Sequence, residues 1–265
     1  MLPTGDCMLP ARRWWSAISK RVSVRSFAHR PIPARVLDKL TKTIDLLQPT
    51  APSARALIVN DKPHHILRGA AYGLFSGAQG YIALMGNPNS HRVDQQVGYL
   101  GEGVVLEATA LGLGTCWVGG MFRASTAAKS LAPIPGEKVY AIIPLGYPAS
   151  RPSFGHRVLK GLARSKNRKD LAAICSSLNH APPWVIAGLE AARLAPSAMN
   201  RQPWRFTIQD DRVILATDGG FDTPIVSKKL DCGIALLHFE LGARNAGWQG
   251  RWEWLEDPGI AVFHP

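Results

Sequence analysis

The stretch Arg21-Val22-Ser23-Val24-Arg25 puts two guanidiniums and a hydroxyl at alternate positions. In an extended segment alternate side chains point to the same side, so Arg21, Ser23 and Arg25 would converge on one face. Such a trio suits a phosphate monoester, because arginine presents paired, permanently charged N–H donors and serine adds a short hydrogen bond. The same pattern also describes an exposed basic edge strand whose charges discourage aggregation. A second basic pair, Lys166 and Arg168, either closes over an anion or belongs to a solvated face.

Much further along, "APSAMNRQPWRF" holds Pro196, Ser197, Asn200, Gln202, Pro203 and Trp204 between two apolar segments. Its prolines exclude a regular helix or strand. The Asn and Gln amides both donate and accept, which matches an alternating edge such as a flavin pyrimidine ring; the alternative is a capped helix-to-strand loop. "GLGTCWVGGMF" is a poor dinucleotide loop, since its first glycines follow a helix and Trp117 stands where a third glycine is needed. Gly119-Gly120 remains as a flat ribbon, which either admits a planar ligand to the backbone or completes a helix cap and turn. His64, His65, His91 and His238 lack metal-ligand spacing, and no Ser-His-Asp order is present. Glu102, Glu107 and Glu240 fall on buried-looking helices as polar groups that pair helices, and no catalytic acid or base stands out.

These residues need a scaffold. The 265 residues, 46% hydrophobic and 19% charged, are ordinary for a folded chain, and the pattern alternates helices with strands. The spacing predicts helices in "PARVLDKLTKTIDLLQ", "HHILRGAAYGLFSG", "DQQVGYLGEGVVLEATALGLG", "PPWVIAGLEAARLAPS" and "VSKKLDCGIALLHFELGARNAGW". It predicts strands in "ALIVN", "GYIALMG", "KVYAIIPLGYP" and "GIAVFHP", and a hairpin in "WRFTIQDDRVILATD" turning at Asp210-Asp211. Four scattered cysteines read as reduced thiols, and Pro3 and Asp6 interrupt what an export signal would need, so a cytoplasmic protein is expected. No apolar run is long enough for a membrane span. The net charge of +12 brings no nucleic-acid signature with it, so neither nucleic acid nor membrane is expected as a partner.

The order of elements repeats. Ala51-Pro52-Ser53 and Ala195-Pro196-Ser197 each join an amphipathic helix to a strand, and "LEATALGLG" lies on "FELGARNAG" with Glu107 facing Glu240. The expected organisation is two duplicated α+β halves, 12–178 and a shortened 179–265, forming an intramolecular pseudo-dimer. The halves have kept different parts: "RVSVR" and "GLGTCWVGG" in the first, the full "PSAMNRQPW" in the second.

Together, "RVSVRSF", "LGLGTCWVGGMF", "IPLGYP" followed by "KNRK", and "APSAMNRQPWRF" resemble the FMN-dependent nitroreductase family. Members carry Arg-x-Ser-x-Arg, PS-x-x-N, GLGT and GYP in that order, and two subunits share two FMN sites. Here PS-x-x-N comes last, as in a single-chain, pseudo-dimeric branch. The resemblance implies a nitroreductase-like α+β fold with mostly antiparallel central sheets flanked by helices. It implies that Arg21, Ser23, Arg25, Lys166 and Arg168 hold the FMN phosphate and ribityl end. Pro196, Ser197 and Asn200 would reach the flavin from the other half, and Gly119 and Gly120 would lie beside its reactive N5. One FMN per chain is expected, with ping-pong transfer of hydride from NAD(P)H to a nitroaromatic or quinone. A flavin-binding protein with little turnover is the alternative.

Overall fold

A computed structural model describes residues 9–67, 75–120, 122–131, 134–150, 167–223 and 225–265. Two four-stranded antiparallel sheets flank a pair of long central helices. The first sheet contains β1 (Ala54–Val59), β2 (Gly80–Gly86), β3 (Gly114–Thr115) and β4 (Lys138–Gly146), in the order β1-β2-β4-β3. The second contains β5 (Trp204–Gln209), β6 (Arg212–Thr217), β7 (Arg251–Trp254) and β8 (Gly259–His264), in the order β5-β6-β8-β7. Both sheets therefore run first, second, fourth, third, and the second strand of each carries a register shift, at Leu84/Met85 and at Leu215/Ala216.

Each long helix enters between the second and third strand of its sheet. Before them come α1 (Ala11–Ile18), α2 (Ala34–Leu47) and the short α3 (His64–Leu67). The central helices are α4 (Val93–Ala110) and α8 (Lys228–Asn245); between them lie α5 (Ala124–Leu131), α6 (Leu171–Ile174) and α7 (Pro183–Arg193). Nearly every residue of α4 and α8 is buried, so neither shows the one-sided apolar stripe of a surface helix. Glycines let the pair touch backbone to backbone: a Cβ at Gly98 would overlap the Leu230 carbonyl, and one at Gly233 the Gln95 carbonyl.

The α+β expectation holds, and β1, β2, β4, β5, β6 and β8 lie where the apolar runs placed them. "HHILRGAAYGLFSG" is helical over His64–Leu67, and residues 68–74 lie outside the described residues. Beyond them Ser76 is extended, its N–H donating to Arg25 O and its carbonyl accepting from Phe27 N–H. The backbone of "RVSVRSF" has claimed this segment, and a helix there would leave those groups unpaired. Helix α1, helix α5 and strand β7 were not expected. In β7, "RWEW" alternates outward Arg251 and Glu253 with buried Trp252 and Trp254, a period-2 signal too short to stand out alone. The described residues include no helix long and apolar enough to cross a membrane, and no cluster of three metal-ligating side chains.

Candidate functional site at the seam

"RVSVRSF" is extended. Ser23 bridges Thr115, Ser26 bridges Ser76, and Val24 N–H donates to Thr115 O at 2.8 Å. Val24 packs inward against Gly114, while Val22 is exposed. Ser23 hydrogen-bonds the buried thiol of Cys116, and the charges of Arg25 and Arg21 are felt there. Burial pushes that thiol up, while Arg25, a hydrogen bond with Ser23 and Arg21 pull it the other way. Arg21 is largely buried, and its Nε is a buried donor with no hydrogen-bond partner. Its nearest carboxylate, Glu102 Oε1, stands 3.9 Å away, too far for a hydrogen bond.

The loop at residues 194–202 is tied to residues 167–169. Arg168 Nη1 donates to Ala195 O at 2.8 Å and to Asn200 Oδ1 at 3.1 Å, and Nη2 donates to Leu194 O at 3.2 Å. A guanidinium from the first half thus caps the carbonyl end of α7, where positive charge is favoured. Burial, together with the charges of Arg21 and Arg193, lowers the Arg168 pKa to about 10, with Glu102 opposing them. Arg168 and Asn200 are therefore in contact, and the charge of Arg21 is felt at Arg168. Lys166 lies outside the described residues.

Asn200 and Gln202 also bind the incoming segment. Asn200 Nδ2 donates to Asn167 O at 2.7 Å, Gln202 Nε2 donates to Asn167 O at 3.0 Å, and Lys169 N–H donates to Gln202 Oε1 at 2.9 Å. Ser197 Oγ accepts from Gln202 N–H at 3.0 Å and closes its own loop after Pro196. A cavity of about 370 Å³ opens here, lined by Asn167, Arg168, Lys169, Met199, Asn200 and Gln202.

Met199, Asn200 and Gln202 all have positive φ, at 53°, 55° and 50°. Side chains other than glycine pay about 1 kcal/mol or more for such a backbone, so the surroundings must hold it. Asp231 supplies much of that hold: Oδ1 accepts from Ala198 N–H at 3.0 Å and Oδ2 from Arg201 Nε at 2.7 Å. Arg201 in turn donates to Val226 O at 2.8 Å. Met199 itself is 93% exposed on the rim.

Burial pushes the Asp231 carboxyl up from 3.8 to about 6, with Arg201 and the Ala198 N–H opposing it. A group whose pKa is raised by folding favours the native state when protonated. That contribution is full below the unfolded value of 3.8 and is lost as pH rises through about 6. Asp231→Asn is therefore expected to flatten the urea-unfolding stability profile between about pH 4 and pH 7, by up to about 3 kcal/mol. Identical profiles for the two proteins would rule out Asp231 as the source of that slope.

Gly119 and Gly120 sit across the seam from the second half. A Cβ on Gly119 would meet Val226 Cγ2 at 2.8 Å, and one on Gly120 would overlap Ile225 Cγ2. The ribbon is thus covered by Ile225 and Val226. Sequence reasoning passed over those two residues, Met199, Asn167 and Lys169 as site-lining groups. The available signal was the exposed apolar residues Phe221 and Ile225 in an otherwise polar loop.

With this geometry in place, comparison with known proteins is informative. A family model described as "Putative TM nitroreductase" matches residues 14–243. The chain belongs to this nitroreductase family. A solved structure from Thermotoga maritima, itself described as a "putative nitroreductase", is 24% identical, with a TM-score of 0.61. The match covers 94% of this chain and 92% of that one, so the two share a fold over most of their length. A nitroreductase with bound FMN from Desulfitobacterium hafniense DCB-2 is 21% identical with a TM-score of 0.46, covering 53% of this chain and 92% of its own. A nitroreductase family protein from Clostridium novyi NT is 20% identical with a TM-score of 0.44, covering 52% of this chain and 86% of its own. No curated protein matches.

Proposed function

We propose that this nitroreductase family member is an FMN-dependent oxidoreductase, with one flavin bound at the seam between residues 12–178 and 179–265. The observation that carries the reading is the buried, unpartnered Nε of Arg21 in a set of donors that includes Ser23, Arg25 and Arg168. A buried cationic donor with no hydrogen-bond partner fits a phosphate. Arg21, Ser23 and Arg25 would hold the phosphate end of FMN, with Lys166 and Arg168 adding charge. Pro196, Ser197 and Asn200 would border the flavin from the second half, and the Gly119-Gly120 backbone would offer N–H groups to its ring. When bound, FMN supplies the redox chemistry, accepting hydride from NAD(P)H and passing electrons to a nitroaromatic or quinone in a ping-pong cycle. The chain's own part is to bind, orient and shield, which needs no dedicated acid or base. The matching strand orders of the two sheets support an internally duplicated pseudo-dimer, and the unequal halves support a single site.

A second reading, a flavin-binding protein with little turnover, is favoured by one observation: Ile225 and Val226 lie over the glycine ribbon. One experiment separates the two. FMN-loaded protein is mixed with NADH or NADPH and either nitrofurazone or a quinone, and cofactor oxidation is followed. Acceptor-dependent oxidation is expected; slow oxidation indifferent to the acceptor would favour the binder. Protein that stays colourless after incubation with FMN would overturn both readings.

A further inference from the structure

Beneath the seam lies a wholly buried ion-pair geometry that the proposed redox chemistry does not use. Glu102 on α4 and His238 on α8 are both 0% exposed, with His238 Nε2 2.9 Å from Glu102 Oε1. His238 Nδ1 lies 3.1 Å from the Ala191 carbonyl of α7. On its other oxygen, Glu102 accepts from the Trp117 indole N–H at 2.8 Å. Trp117 leads into Gly119-Gly120 and packs where Gly101 lacks a side chain. Arg21 stands 3.9 Å from the oxygen that faces His238. One carboxylate therefore stands behind both first-half segments assigned to the flavin.

The hydrogen bonds count the protons. A carbonyl only accepts, so the contact with Ala191 requires a hydrogen on Nδ1. The contact between Nε2 and Oε1 then needs one further hydrogen, whether it resides on the imidazole or on the carboxyl. In either arrangement the Glu102–His238 pair holds one shared proton and has no net charge. A bare carboxylate at Glu102 would instead draw Arg21 in and cancel its charge, because an opposite charge at this range is a strong interaction out of water. The groups facing Glu102 are Trp117 from the ribbon, His238 from α8, Arg21 from the extended segment and, more remotely, Arg168.

We propose that His238 acts as a positioning residue: by neutralising Glu102 it leaves the Arg21 guanidinium free to hold a bound phosphate. This rests on the seam being an FMN site only in naming that phosphate. A residue from the second half thereby sets the charge of an anion site on the first. The arrangement also accounts for the buried Nε of Arg21 remaining unpaired beside a carboxylate.

The test compares wild type, His238→Gln and the double variant Glu102→Gln/His238→Gln, using FMN, riboflavin and pyrophosphate as probes. Flavin dissociation constants come from fluorescence titration, and pyrophosphate binding from the thermal shift. His238→Gln leaves Glu102 charged and is expected to weaken FMN and pyrophosphate by about tenfold or more while sparing riboflavin, which lacks the phosphate. The double variant removes the charge and is expected to recover most of that loss. Equal weakening of riboflavin and FMN, or no recovery in the double variant, would overturn the inference. Wild type that binds no flavin, yet whose pyrophosphate affinity follows the predicted order, would sink the FMN reading and leave this one standing. If the variants do not fold, 15N and 13C NMR of the wild type decides. A shared proton between Glu102 and His238 at neutral pH is expected, and an ionised Glu102 beside a neutral ring would overturn the proposal.

Discussion

Protein carrying Arg21→Ala together with Arg25→Ala is expected to be colourless after FMN incubation and desalting, with its far-UV circular dichroism unchanged. The charges of both residues are felt at the buried Cys116 thiol that Ser23 hydrogen-bonds, and Arg21 has a buried Nε donor with no hydrogen-bond partner. Charge-assisted hydrogen bonds to a phosphate contribute about 1.5–3 kcal/mol each, so loss of two guanidiniums should weaken FMN by about a hundredfold or more. The fold should survive, because the segment is tied by its backbone: Val24 N–H to Thr115 O, Phe27 N–H to Ser76 O and Ala28 N–H to Tyr147 O. Riboflavin affinity, which owes nothing to the phosphate, should change far less. Stoichiometric FMN retained by the double variant would refute the phosphate assignment.

The second large effect concerns stability. Gly233→Val is expected to lower the unfolding free energy by about 3 kcal/mol or more, or to leave the protein insoluble. At Gly233 the α8 backbone meets the Gln95 carbonyl of α4, and at Gly98 the α4 backbone meets the Leu230 carbonyl of α8. A side chain at either point must push the two helices apart, because the atom in its way is backbone and cannot rotate aside. About one turn further along both helices, Glu102 meets His238. A Gly233 variant that still folds should therefore also bind FMN less well. Urea melts followed by tryptophan fluorescence measure the first effect, and an unchanged midpoint would show that the central helices do not depend on that backbone contact.

The strands and central helices were legible in sequence because their signals are local. "GYIALMG" and "GIAVFHP" are short apolar runs bounded by turn residues, and Ser227 stands where a helix N-cap is needed, its Oγ accepting from Lys229 N–H at 3.2 Å. The alternation in "RVSVR" was enough to predict an extended segment, which pairs with Thr115 and Ser76. The repeated Ala-Pro-Ser junctions anticipated two sheets built in the same order. The expected helix after His64 does not hold at residues 75–77, because extended pairing of Ser76 with "RVSVRSF" outweighed a helical pattern of apolar residues.

Other features rest on pairs far apart in the chain, and a single sequence carries no mark of such pairing. Arg168 looked like one charge in a basic run; only folding sets it against the carbonyl end of α7 and Asn200. The amides of Asn200 and Gln202 advertised hydrogen-bonding capacity but not their partners, which proved to include the 167–169 backbone. The glycine ribbon announced room beside the backbone, and tertiary structure decided that Ile225 and Val226 approach it. His238 and Glu102 each read as an ordinary buried polar residue. Their 2.9 Å contact spans 136 positions, and only the crossing of α4 and α8 brings one proton between them. Backbone conformation and burial follow from short-range pattern, whereas the charge of a site depends on which distant groups the fold places beside one another.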